Sequence, residues 1–115
     1  MNRVMRLYDL KGSEYFEATA SCARQLGIDI KKRGRNYQGS CPFHEDKTPS
    51  FHLYQKDGQV RFKCFSDKCN GSWDIFSLIQ QHEGCSFIEA VKRFGRHVGV
   101  DEVILPREVK IIVGR

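Results

Sequence analysis

The chain has 115 residues, 40% of them hydrophobic and 29% charged, with a formal net charge of +5 and a pI near 9.1. This is the size of one domain, or one domain with tails, whose modest core a bound metal would supplement. The charge favours an anionic partner, nucleic acid first. No apolar run nears the ~20 residues of a membrane span and no secretory signal opens the chain, so a cytoplasmic protein is expected.

Met1 to Leu10 mix basic and apolar residues without a period, and no structure is assigned to them. Ser13 is the expected N-cap of a helix through EYFEATASCARQL, with Phe16, Ala20 and Ala23 on one face and Gly27 as its end. Residues 1–27 thus read as an arm and a helix. The next stretch, IDIKKRGRNYQGS, alternates weakly and predicts two short strands, Ile28 to Lys32 and Arg35 to Gly39, joined at Arg33-Gly34. Lys31, Lys32, Arg33 and Arg35, with Tyr37 close behind, form the densest basic cluster. A solvated turn explains such a cluster as well as a binding site does.

From Cys41 to Cys69 the chain opens with C-x2-H and closes with C-x4-C. Between these pairs, Phe51 to Lys56 and Gln59 to Phe65 read as a hairpin turning at Asp57-Gly58, a type I′ signal. A two-residue loop sets Tyr54 opposite Arg61, Leu53 opposite Phe62, His52 opposite Lys63 and Phe51 opposite Cys64. One face then holds Phe51, Leu53, Val60 and Phe62 and must be the core side. The other holds His52, Tyr54, Lys56, Arg61 and Lys63. Rings and cations interleaved on a sheet suit a single nucleic-acid strand, and a plain solvated face is the alternative.

The hairpin brings the two ligand-like pairs to one point. Cys41, His44, Cys64 and Cys69 predict a closed tetrahedral structural zinc site, with Phe43 over its apolar side. An odd count of five cysteines without a signal peptide argues against a disulfide framework. Cys22 and Cys85 read as buried free thiols. His52 points to the wrong face for this site, and His82 and His97 sit on helices without a partner. Four protein ligands leave no open position, so no catalytic residue is assigned to the metal.

After Cys69, Asn70-Gly71 supplies a turn and Ser72 or Asp74 caps a helix with Ile75, Phe76, Leu78 and Ile79 as its stripe and Gly84 as its end. Ser86 to Glu89 is a capping box that opens a second helix, with Phe87, Ala90, Val91 and Phe94 on one face, closed loosely by Gly95 and Gly99. The last stretch, residues 101–115, has strand-like apolar pairs around Pro106 and reads as a tail or a linker towards something further.

Several of these segments carry a resemblance. Gly34-x-Asn36-Tyr37, Cys41-Pro42-Phe43-His44, Lys47-Thr48-Pro49-Ser50-Phe51 and Ser86-Phe87-x-Glu89-Ala90-Val91 stand in the order and near the spacing of the N-terminal zinc-binding domain of bacterial DnaG-type DNA primases. The match covers roughly residues 28–100. Two departures stand out: the second pair is C-x4-C where the family has C-x2-C followed by glycines, and Trp73 stands where a glycine is expected. They suggest a divergent member, such as a phage, plasmid or other mobile element would carry, with an altered template preference.

The resemblance implies an α+β fold, a small antiparallel zinc-ribbon sheet flanked by helices, with zinc on Cys41, His44, Cys64 and Cys69. It implies a module that contacts single-stranded DNA template and helps start RNA primers in DNA replication, beside a primase catalytic domain and a replicative helicase. Lys31, Lys32, Arg33, Arg35, Tyr37, Lys47, Tyr54, Arg61 and Lys63 are the expected nucleic-acid contacts, on the register and the basic density. A stand-alone zinc-ribbon adaptor for a replication or transcription protein is the alternative. An enzyme complete in itself is disfavoured, because the sequence shows no acidic cluster for magnesium.

Overall fold

The computed structural model describes residues 2–45 and 49–114, and Lys47 lies outside them. In chain order the elements are β1 (Val4–Arg6), α1 (Gly12–Gln25), β2 (Ile30–Arg33), β3 (Asn36–Gly39), β4 (Phe51–Lys56), β5 (Gln59–Cys64), β6 (Ser72–Trp73), α2 (Ile75–Glu83), α3 (Phe87–Val98), β7 (Glu102–Leu105) and β8 (Val109–Ile112). Strands β2 to β6 make one five-stranded antiparallel sheet in chain order. Strands β1, β7 and β8 make a second, mixed sheet with β1 parallel to β7. Helices and antiparallel strands together give the α+β class that the sequence predicts. Among the described residues no helix is long and apolar enough to cross a membrane.

The hairpin of β4 and β5 pairs in the expected register, Phe51 with Cys64 through Lys56 with Gln59. Asp57 and Gly58 both take positive φ (54° and 78°), the primed turn whose twist matches the strands it joins. Phe51, Leu53, Val60 and Phe62 are accordingly buried, and Phe51 stacks on Phe62 at 5.6 Å between ring centroids. Trp73 is also inward, against Phe43 (4.8 Å) and Phe51 (5.8 Å), with its indole N–H donated to Gln81. The residue that departs from the family pattern is therefore core rather than template surface.

Helices α2 and α3 cover the core face. Asp74 caps α2 by accepting from the Ser77 N–H while the Ser77 hydroxyl accepts from the Asp74 N–H, and Gly84 ends it in the left-handed region. Removing that cap with Asp74→Ala should cost about 1 kcal/mol in urea unfolding; an unchanged midpoint would mean that packing alone sets the helix start. Ser86 caps α3 through the Glu89 N–H, and Ala90, Val91 and Phe94 are buried. Gly95 does not close α3. It lies inside the helix, where an added Cβ would sit 2.7 Å from a Val113 methyl. Its bareness admits the chain that follows β8.

Three other expectations change. Helix α1 starts two residues early, behind Lys11, so Ser13 is inside it rather than its cap. The arm, to which the sequence assigned no structure, carries β1, which pairs with β7, and Arg3 and Asp101 exchange N–H bonds: Arg3 N–H to the Asp101 carboxylate and Asp101 N–H to the Arg3 carbonyl, both 2.8 Å. The stretch read as a tail or linker carries β7 and β8, which bury Val103 and Ile111 against the helices and turn at Arg107 and Glu108, both at positive φ.

Candidate metal centre and nucleic-acid interface

The turn after β3 carries Cys41 and His44, the end of β5 carries Cys64, and the loop before β6 carries Cys69. The ligand atoms of these four residues all lie within 4.8 Å of one another. The Cys41 and Cys69 sulfurs are 3.9 Å apart, and His44 Nε2 is 3.2 Å from Cys64 Sγ. Bond lengths of about 2.0–2.3 Å around a tetrahedral zinc imply ligand–ligand edges of about 3.5–3.8 Å. The quartet therefore fits zinc with small adjustments. His44 Nδ1 donates to the Glu45 carbonyl (3.0 Å), which can only accept, so Nε2 is the nitrogen turned to the sulfurs.

The surroundings favour a thiolate at Cys64. Burial works against its anion, but His44, the Ser66 N–H, the Ser50 hydroxyl and Cys69 outweigh it and bring its pKa down to about 7. Burial pushes Cys41 up to about 12, partly offset by the Phe43 N–H on its sulfur. Phe43 packs its ring on Trp73 and stands edge-on to His82 at 6.4 Å. Cys22 and Cys85 stand outside the quartet. Burial raises Cys22 to about 11, which makes it a packing thiol.

The outer face of the five-stranded sheet carries most of the predicted contacts. Strand pairing aligns Lys31, Gln38, His52, Lys63 and Ser72 in one row across all five strands. By the two-residue period of strands, Arg33, Tyr54 and Arg61 share that face. Its cations are held in place: Arg61 donates to the Ser72 hydroxyl (3.0 Å), and Lys63 to the Asn70 carbonyl (3.2 Å) and side-chain oxygen (2.8 Å). Burial lowers the His52 pKa, so its imidazole is neutral at neutral pH.

Tyr37 and Lys32 are not on this face. Tyr37 pairs with Leu53 on the core side and is 6% exposed, with its ring on Phe16 and its hydroxyl donating to Glu17. Lys32, paired with Tyr37, reaches the same Glu17 carboxylate at 3.1 Å. Both residues tie β2 and β3 to α1. Arg35 sits in the turn between β2 and β3, at the end of the outer face. Gln38 in this row and Phe65 beside it were not singled out in the sequence, and His52 was placed on the face without a role. Their common signal is strand parity and adjacency to the metal turn, which composition does not carry.

A family model described as CHC2 zinc finger matches residues 20–108. The chain belongs to the CHC2 zinc-finger family. Its relatives include DNA primases of Listeria innocua, 42% identical over 83 residues, and Enterococcus faecalis, 44% identical over 85 residues. These matches cover 70% and 71% of this chain but 12% and 13% of the relatives, so the CHC2 zinc finger spans about an eighth of their length. A crystal structure of the Aquifex aeolicus primase (zinc-binding and RNA polymerase domains) superposes with a TM-score of 0.52 at 27% identity, over 72% of this chain and 22% of that one. The Cys41–His44–Cys64–Cys69 group is the metal-binding group of a CHC2 zinc finger, of the DnaG-type primase kind that the motifs resemble.

Proposed function

We propose that this CHC2 zinc finger is the template-contacting module of a DNA primase. In this reading zinc on Cys41, His44, Cys64 and Cys69 fixes the sheet, and the outer face grips single-stranded DNA while a primase polymerase domain starts the RNA primer. When bound, the metal supplies a rigid crosslink and no reactive position, because all four of its bonds go to protein. The observation that carries the reading is the row Lys31–Gln38–His52–Lys63–Ser72, flanked by Arg33, Tyr54 and Arg61, on a sheet whose other side packs into the core through Tyr37, Leu53, Val60 and Phe62. Cations at this density meet phosphates, and rings among them accept bases. Arg35, at the turn, extends the basic track. A replicative helicase would be met through other parts of the assembly.

Anisotropy titrations of a labelled single-stranded oligonucleotide at several salt concentrations test this reading. Arg33→Ala and Arg61→Ala should each weaken binding and reduce the slope of log affinity against log salt by about 0.7. Lys32→Ala, on the opposite face, should leave that slope unchanged. Absence of binding by the wild-type chain, or equal slopes for all three variants and wild type, would refute the assignment of the face.

A further inference from the structure

Phe65 is the first residue after the ligand Cys64, at the corner where the sheet meets the metal turn, and it is 59% exposed. The backbone there is fixed on both sides, since the Phe65 N–H donates to the Ser50 carbonyl and the Cys64 N–H to the Gly71 carbonyl, both 2.9 Å. The ring takes no part in the buried core. Its neighbours belong to the outer face: His52 stands nearly perpendicular to it, at 82° and 5.1 Å between centroids, and the Lys63 ammonium lies 5.9 Å from its centroid. Lys63 is itself anchored by its two bonds to Asn70.

This is an unusual place to leave a phenyl ring. A docking surface for a protein would group several apolar side chains, yet among the described residues the other large exposed apolar ones, Val4, Phe87, Ile88, Val109 and Ile112, are on β1, α3 and β8. Around Phe65 the chemistry is an imidazole and a cation. An open π-face beside a fixed positive charge accepts a base on the ring and its phosphate on the ammonium. Because the Lys63 ammonium is already anchored to Asn70, less of its rotamer entropy is lost on binding.

We propose that Phe65, framed by His52 and Lys63, is a base-stacking subsite for one nucleotide at the metal end of the outer face. The proposal rests on the reading of that face as a single-strand site and divides its labour. The end near Arg33 and Arg35 binds phosphate and is blind to bases, whereas the metal end holds a base. Stacking on a ring discriminates weakly among bases, so this subsite sets register along the strand more than sequence.

The test compares wild type, Phe65→Leu and Phe65→Trp with labelled oligothymidylate and with an abasic oligonucleotide of the same length. Bound zinc is measured on each protein. Phe65→Leu should bind oligothymidylate about 10-fold more weakly, as expected for loss of one base–aromatic stack, with an unchanged salt slope. Its affinity for the abasic strand should equal that of wild type. Phe65→Trp should keep wild-type affinity, and its emission should be quenched on binding over the constant background of buried Trp73. Wild-type affinity of Phe65→Leu for oligothymidylate, or an unquenched Phe65→Trp complex, overturns the subsite while leaving the face assignment standing. If wild type itself binds neither strand, the face assignment fails and the subsite with it. Should Phe65→Leu lose zinc, the quenching of Phe65→Trp decides the matter alone.

Discussion

Replacing Cys64 by serine is expected to abolish stoichiometric zinc binding and to unfold most of the chain. Cys64 is fully buried at the end of β5, and its sulfur faces His44 Nε2 on one side and the Ser50 hydroxyl on the other. Serine offers a poor ligand in place of a thiolate and buries a hydroxyl among groups arranged for a sulfur. Apparent zinc-binding free energies in small finger peptides are about 10–16 kcal/mol, as large as the whole stability of a domain, about 5–15 kcal/mol. The quartet holds the turn after β3 and the loop before β6 against one another, so its loss frees both edges of the hairpin. Metal analysis, near-ultraviolet circular dichroism and Trp73 emission read the outcome. Cys22→Ser is the control, because its thiol lies outside the quartet and should leave zinc content unchanged. A Cys64→Ser protein with native dichroism and melting temperature would show that the fold does not depend on the metal.

Phe62→Ala should cost about 3–5 kcal/mol, the range for truncating a buried phenylalanine. Phe62 is completely buried, pairs with Leu53 on one side and Trp73 on the other, and stacks on Phe51. Its removal leaves a cavity where the sheet meets α2, walled by aromatic rings that cannot collapse into it without leaving their own contacts. The melting temperature should fall by more than about 10 °C. Tyr54→Ala, on the other face of the same hairpin, should cost less than about 1 kcal/mol. Equal losses for the two variants would mean that the register places the wrong face in the core.

That register was legible because a single dipeptide dictates it. Asp57-Gly58 admits a two-residue loop with positive φ at both positions, and every side chain of β4 and β5 follows from it. Spacing also sufficed for the metal quartet, and the Asp74 and Ser86 caps marked the helix starts. The β2–β3 turn was harder to read. The sequence suggested a turn at Arg33-Gly34, whereas the structure turns at Gly34-Arg35, with Arg33 paired to Asn36. In Lys31-Lys32-Arg33 every position is cationic, so no alternation of polarity shows which residue faces in. Lys32 and Tyr37 were accordingly counted with the expected contacts of the basic cluster, although both turn to Glu17. The pairing of β1 with β7 joins residues nearly a hundred positions apart and leaves no local signature, because three residues are too few to display a period. Phe65 was invisible for a related reason: whether the first residue beyond a strand is covered depends on the loop that follows it.

The bonds from the Lys63 ammonium to Asn70 join the outer sheet surface to the loop that carries Cys69. One side chain thus belongs at once to the exposed surface of the sheet and to the loop that supplies a sulfur to the quartet, so a substitution at Asn70 is felt on both.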